Sequence, residues 1–281
     1  MADAKQAAES AEGKVDIVGH LLDGNTLDVP FIGAHHVVDG HLNLPTFPPI
    51  EVFGFSIDLS ITRHVLIMWV ACALLVIALI SAFRRPNMVP SGLANFFEAI
   101  VLFIRDEVAL PILGEDGRKY LPFLLTIFFF ILFCNLIGLI PYSATPTGNI
   151  SVTAGLALCS FFVTQAAGVV NNGFFGYLKS LVPPGVPAPL LIILIPVEII
   201  SVFVKPFALC VRLFANMTGG HVALLVFLGL SIMLGSELVA LVAVPFAAAI
   251  YLLEIFVAFV QSFIFTLLSA VFISMAAHPD H

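Results

Sequence analysis

Charge is scarce in this 281-residue chain, where 10% of residues are Asp, Glu, Lys or Arg and 60% are hydrophobic. With a mean hydropathy of +1.10, that balance excludes an ordinary soluble domain, whose charged share is about 25%. Tryptophan is nearly missing, at one residue against 27 phenylalanines, a composition suited to lipid-facing and helix-packing surface. Cysteine is confined to Cys72, Cys134, Cys159 and Cys210, all in apolar segments and without CxxC spacing. Disulfide and zinc chemistry therefore lack a framework, and the four are expected to be small buried hydrophobes. No HExxH occurs, and no aspartate lies in the apolar spans after Asp116, so metalloprotease and aspartyl chemistry lack their residues. Neither a metal nor a cofactor is expected. The long unbroken apolar runs also exclude a β-barrel, whose strands alternate over roughly 10 residues.

What remains is a polytopic, all-α membrane protein. It is read as about five transmembrane helices plus one interfacial amphipathic helix. The net charge of −7 is concentrated in residues 1–60, which hold nine acids against Lys5 and Lys14. That segment is expected to be an acidic extracytoplasmic arm, with no basic surface for a nucleic acid. It has neither the basic start and apolar core of a signal peptide nor the Arg-rich character of a transit peptide, which points to a bacterial inner membrane.

The membrane domain is expected over residues 61–281, with a first span at 63–83 closed by Arg84-Arg85-Pro86. An amphipathic segment at 91–110 carries Glu98, Arg105, Asp106 and Glu107 and suits the cytoplasmic interface. Further spans are expected at 120–141 and 150–170. Arg84, Arg85, Arg105, Arg118, Lys119 and Lys179 then all fall on the cytoplasmic side, with the N-terminus outside and the C-terminus in the cytoplasm.

Residues 188–234 and 237–276 are almost continuously apolar. Their most continuous parts, 190–233 and 238–276, would measure as helices roughly 65 Å and 58 Å, about twice the 30 Å of a bilayer core. A steeply tilted hairpin, turning at Gly235-Ser236-Glu237 beside a large curved partner, accommodates the excess. Ionisable residues at such depth cost about 2.5–3.5 kcal/mol each and mark pathways or pairing sites. Glu198, Lys205 and Arg212 recur every seven residues, with Asn216 four later, and so share one helical stripe. His221 falls on the opposite side. The second helix carries Glu254 and Gln261, again seven apart. Pairing Arg212 with Gln261, or His221 with Glu254, centres the hairpin on the same Gly235–Glu237 break.

These residues also admit plainer roles: His221 and Gln261 as interhelical hydrogen-bond partners, and Lys205 as a snorkelling side chain. Arg212 resists that treatment. It does not deprotonate, it is too deep to snorkel fully, and Glu198 lies about 21 Å away along the helix. Its counter-ion is expected on another subunit.

"RLFANM" within "PVEIISVFVKPFALCVRLFANMTGGH", followed by "LEIFVAFVQSFIFTLLSAVFISMA", resembles subunit a of the F-type ATP synthase. The resemblance covers roughly residues 60–277. It implies a proton-translocating stator subunit of the F0 sector, without nucleotide chemistry of its own. Two offset half-channels would flank a c-ring, and b subunits would form the peripheral stalk. By that resemblance Arg212 is the essential arginine and Asn216 and Gln261 are its polar companions. His221 and Glu254 would serve the outer half-channel, and Glu198 with Lys205 the inner one. Ala208 stands where some relatives carry serine.

Two other classes compete. A secondary transporter would use Arg212 to hold an anionic substrate, but needs a repeat or a broken helix around a midplane pocket. A serine-type intramembrane protease is the enzyme alternative. Neither uses two over-long helices.

Overall fold

The computed structural model describes residues 26–28, 41–43, 50–52, 55–57, 60–84, 92–140, 143, 145–180, 188–234 and 237–279. Most of the acidic arm, Arg85-Pro86, the 181–187 loop and the Gly235-Ser236 turn lie outside them. Within the arm, β1 (Thr26–Asp28) pairs antiparallel with β2 (His41–Asn43), and β3 (Ile50–Val52) with β4 (Phe55–Ile57). Every other regular element is helical.

Helix α1 spans Arg63–Phe83. Helix α2 (Leu93–Phe103) continues through a π-helical stretch, Ile104–Ala109, into α3 (Leu110–Leu113). Gly114, at φ 59°, breaks the helix, a left-handed conformation that costs a side chain more than it costs glycine. A 3₁₀ turn, Gly114–Asp116, then leads into α4 (Gly117–Gly138). The ring of Phe97 packs 5.6 Å from that of Phe129, so residues 93–113 fold back along α4. Their buried positions, Phe97, Ile100, Ile104 and Val108, recur at three- and four-residue spacing, one helical face. Asp106 and Glu107 stay exposed on the other side, and Arg105 Nε pairs with Asp106 Oδ1 at 2.7 Å.

Helix α5 (Ile150–Asn172) starts where the Asn149 side chain accepts the Ser151 N–H at 2.9 Å, satisfying a donor the first turn leaves free. Gly173, at φ 71°, ends it, and the short α6 (Phe174–Ser180) follows. Helix α7 (Ala188–Leu234) has 47 residues and α8 (Glu237–Ala277) has 41. Pro196 and Pro206 lie within the first and Pro245 within the second, and neither helix is interrupted.

By length and composition five helical segments can cross a bilayer: Arg63–Phe83, Leu93–Gly138, Ile150–Asn172, Pro189–Phe227 and Leu241–Ala277. The chain is an all-α polytopic membrane protein. Its core joins α2 and the π-helical stretch to α4 and the C-terminal half of α8, through Ile104, Val108, Leu124, Phe128, Ala270 and Ile273. A second cluster ties α7 to α4 and α8 through Leu209, Leu213, Ile131 and Phe265.

The inward face of α8 is built from small residues: Ala258, Ser262, Thr266, Ser269 and Ala270 are all buried. Small side chains let helices approach closely, and the hydroxyls are satisfied locally. Ser262 donates to the Ala258 carbonyl at 2.8 Å, Thr266 to that of Ser262 at 2.9 Å, and Ser160 of α5 to Ser269 at 2.8 Å. The cysteines divide, contrary to expectation. Cys134 and Cys210 are buried, whereas Cys72 and Cys159 are exposed on outward apolar faces, where a lipid environment accepts a thiol as readily as a core does.

Candidate functional site

The α7–α8 hairpin brings four of the expected polar residues together in two pairs. His221 Nδ1 stands 3.8 Å from Glu254 Oε1, and Asn216 Nδ2 donates to Gln261 Oε1 at 3.1 Å. Nearer the turn, the rings of Phe227 and Phe246 sit 4.7 Å apart. The three contacts follow one antiparallel register that drifts slowly along the hairpin, as expected of helices that cross at an angle. Gln261 therefore reaches Asn216, one turn beyond the Arg212 position expected to face it.

The pairs differ in surroundings. Glu254 is buried, with neither carboxylate oxygen hydrogen-bonded, and the Gln261 amide nitrogen is likewise buried without an acceptor. A buried polar group without partners costs free energy, so this is where the hairpin tolerates a local penalty. Gly220 makes room for it: a Cβ there would overlap the Glu254 carboxylate. Thr145 Oγ1 contacts His221 Nε2 and donates to the Gly138 carbonyl at 3.3 Å. Beside it, Thr147 donates to Asn135 Oδ1 at 2.6 Å, and Asn135 Nδ2 reaches the Ala258 carbonyl at 3.4 Å. Sequence reasoning missed Asn135, Thr145 and Thr147. The "ATPTGN" stretch reads as a turn, and only the fold carries it against α7.

Arg212 is placed otherwise. It is exposed and makes no hydrogen bond or ion pair among the described residues. Ala208, Ala215 and Gly219 are exposed with it, at spacings that put all four on one face of α7. A Cβ added to Gly219 would meet nothing within 4 Å. The guanidinium thus stands on a strip of small side chains, open to a neighbouring helix.

Glu198 and Lys205 line a cavity of about 100 Å³ at the end of the hairpin remote from its turn. Ser160, Thr164, Gln165 and Tyr177 share its wall, enough room and polarity for water. Lys205 Nζ lies 5.9 Å from the centre of the Phe272 ring. Tyr177 Oη donates to Gln165 Oε1 at 2.6 Å, and its ring fills the notch left by Gly168, where a Cβ would come within 2.6 Å of it. Burial raises the Tyr177 phenol above its ordinary range. No signal in the sequence pointed to α6, because Tyr177 lies in a Pro/Gly-rich stretch that reads as a loop.

Three or more His, Cys, Asp or Glu side chains nowhere converge as a metal site among the described residues.

Residues 65–274 match the family model described as "ATP synthase A chain". A protein from Chloroherpeton thalassium named ATP synthase subunit a is 50% identical over 95% of this chain and 78% of its own length. Similar values hold for ATP synthase subunit a 2 of Chlorobium luteolum, 50% identical over 86% of this chain and 74% of its own. For ATP synthase subunit a of Myxococcus xanthus the identity is 51%, over 80% of this chain and 77% of that one.

Proposed function

The chain belongs to the ATP synthase A chain family, and from that premise we propose that it is the proton-translocating stator subunit beside the rotor ring. One observation carries the reading: Arg212 is exposed, and no described residue of its own chain pairs with it. A guanidinium stays charged, and leaving it bare in hydrocarbon costs several kcal/mol. The acid that balances it is a carboxylate on a passing rotor subunit. The strip of Ala208, Ala215 and Gly219 lets the rotor helix approach.

Two polar regions flank Arg212 along α7. His221 lies about 24 Å from Lys205 by helix rise, with Arg212 between them. On the outer side, His221 and Glu254 take a proton from water and hold it between imidazole and carboxylate, where transfer is fast. Asn216 and Gln261 position water beyond them. The proton neutralises the rotor carboxylate, which can then turn into lipid. After nearly a full turn that carboxylate meets Arg212 from the other side. The guanidinium favours the ionised acid, and the proton leaves through the cavity of Glu198 and Lys205 toward the cytoplasm. Because Arg212 remains cationic it also repels protons that would leak directly between the half-channels. Each proton crossing 100 mV releases about 2.3 kcal/mol for rotation.

The over-length α7 and α8 lie steeply tilted against the curved ring in this reading. The acidic arm is extracytoplasmic, and b subunits complete the stator in a bacterial inner membrane; the 91–110 segment, expected at the cytoplasmic surface, instead packs along α4. The test is Arg212→Ala in complexes reconstituted into vesicles. Proton-driven ATP synthesis is expected to vanish while passive leak persists, and synthesis at the wild-type rate would end the proposal. Arg212→Lys is expected to fail as well, because a point-like ammonium does not replace the planar fork.

A further inference from the structure

We propose that Thr145 locks His221 into the tautomer protonated at Nε2, so that the ring takes up and releases protons at Nδ1 alone, facing Glu254. The inference rests on the pathway role proposed for His221 and adds the atom at which it works.

The argument starts at Gly138, the buried last residue of α4. Its carbonyl belongs to the final turn, where no intrahelical N–H is available, and no backbone N–H reaches it among the described residues. The Thr145 hydroxyl donates to it at 3.3 Å, and Gly138 permits this because any Cβ there would overlap the threonine side chain. A hydroxyl has one proton, and the proposal assigns it to this carbonyl, which has no other donor among the described residues. The contact between Thr145 Oγ1 and His221 Nε2 therefore needs the ring nitrogen as donor. The hydrogen bond made by one imidazole nitrogen sets the state of the other. Nδ1 is left with its lone pair toward Glu254 Oε1, 3.8 Å away. A proton arriving on Nδ1 passes to the carboxylate from that same nitrogen, and Nε2 keeps its hydrogen throughout. The ring does not relay protons from one face to the other.

Glu254 is the carboxylate that an ion-pair contact places at the ring, and Arg63 and His64 begin α1, which packs against the 146–148 turn beside Thr145. The 145–149 turn and α5 contain no charged residue, and the charges of α4, Arg118 and Lys119, lie at its opposite end.

The test uses the intact ATP synthase complex with ¹⁵N-labelled histidine rings, the His221 signals being identified by their loss in H221Q. Neutral wild-type His221 is expected to carry its proton on Nε2, and T145S to preserve that state. T145V should shift it toward Nδ1–H, displace the pH profile of proton-driven synthesis, and lower its rate about tenfold, a fraction of what positioned acid–base groups supply; T145S should recover most of that loss. A wild-type ring protonated on Nδ1, or a T145V complex with unchanged tautomer and rate, overturns the proposal. Where T145V fails to assemble, the wild-type and T145S spectra decide. Full synthesis in H221Q would instead remove the pathway role and leave the tautomer result standing.

Discussion

Arg212 and Glu254 meet the same hazard, an ionisable group at membrane depth, by opposite means. Glu254 is buried against His221, where a proton can be shared inside the chain. Arg212 cannot lose its charge and faces outward. Gly220 serves the first arrangement. Gly220→Ala is expected to push the Glu254 carboxylate off its position and lower proton-driven synthesis about tenfold or more, since displacements near 1 Å at a reacting group have effects of that order; an unchanged rate in vesicles would contradict it. Tyr177 offers a titration. Its folded state favours the neutral phenol, because burial raises the group above its ordinary value of 10.0. The associated stability is full below that value and is lost as pH rises through the higher folded one. Difference absorbance between wild type and Tyr177→Phe should show tyrosinate forming only above pH 10, and an onset below it would contradict the half-buried, hydrogen-bonded placement.

The decisive element is the α7–α8 hairpin, since a polar residue on either helix acquires meaning only from what stands opposite. Cysteine pairs at 221/254 and 216/261 are expected to cross-link within one register, and a pairing displaced by more than two turns would refute it. The helix of residues 93–113 gives a second check. Folding back at Gly114 puts Phe97 against Phe129, whereas a straight run from 93 to 138 would separate the two by about 48 Å. A 97/129 cysteine pair should therefore cross-link in the membrane. The α6 helix is short and lies under no long apolar run, yet through Tyr177 and Gly168 it closes the wall of the Glu198–Lys205 cavity.

For the molecule as a whole, the largest feature is apolar surface that water would reject. Ile192, Ile193, Phe203 and Phe207 on α7, and Leu252 and Phe256 on α8, are all well exposed. Lipid covers such surface readily but leaves Arg212 unpaired, and the proposed function puts the rotor's carboxylate at that one strip. Isolation in mild detergent should recover the chain with a ring of small two-helix subunits, and the chain recovered alone under conditions that preserve other membrane complexes would argue against it. Lys205→Ala tests the far end of the route. Wild-type pumping would identify Lys205 as a snorkelling side chain, and a partial loss would support its place in the cavity.

Composition and spacing by themselves determined the class of this protein. Sixty per cent hydrophobic residues leave few alternatives to membrane helices, and the seven-residue recurrence of Glu198, Lys205 and Arg212 follows from helical geometry alone. The hairpin register was legible for the same reason: two rigid helices joined by a short break have one freedom, and His221 opposite Glu254 uses it. Tertiary structure decided what depends on a third element. Thr145 on a turn, Gln165 on α5 and Tyr177 on α6 are ordinary residues in sequence, because no local period distinguishes a hydroxyl or amide that faces a polar partner from one that faces solvent. Only packing brings them within hydrogen-bond reach, about 3 Å, of the polar groups they meet.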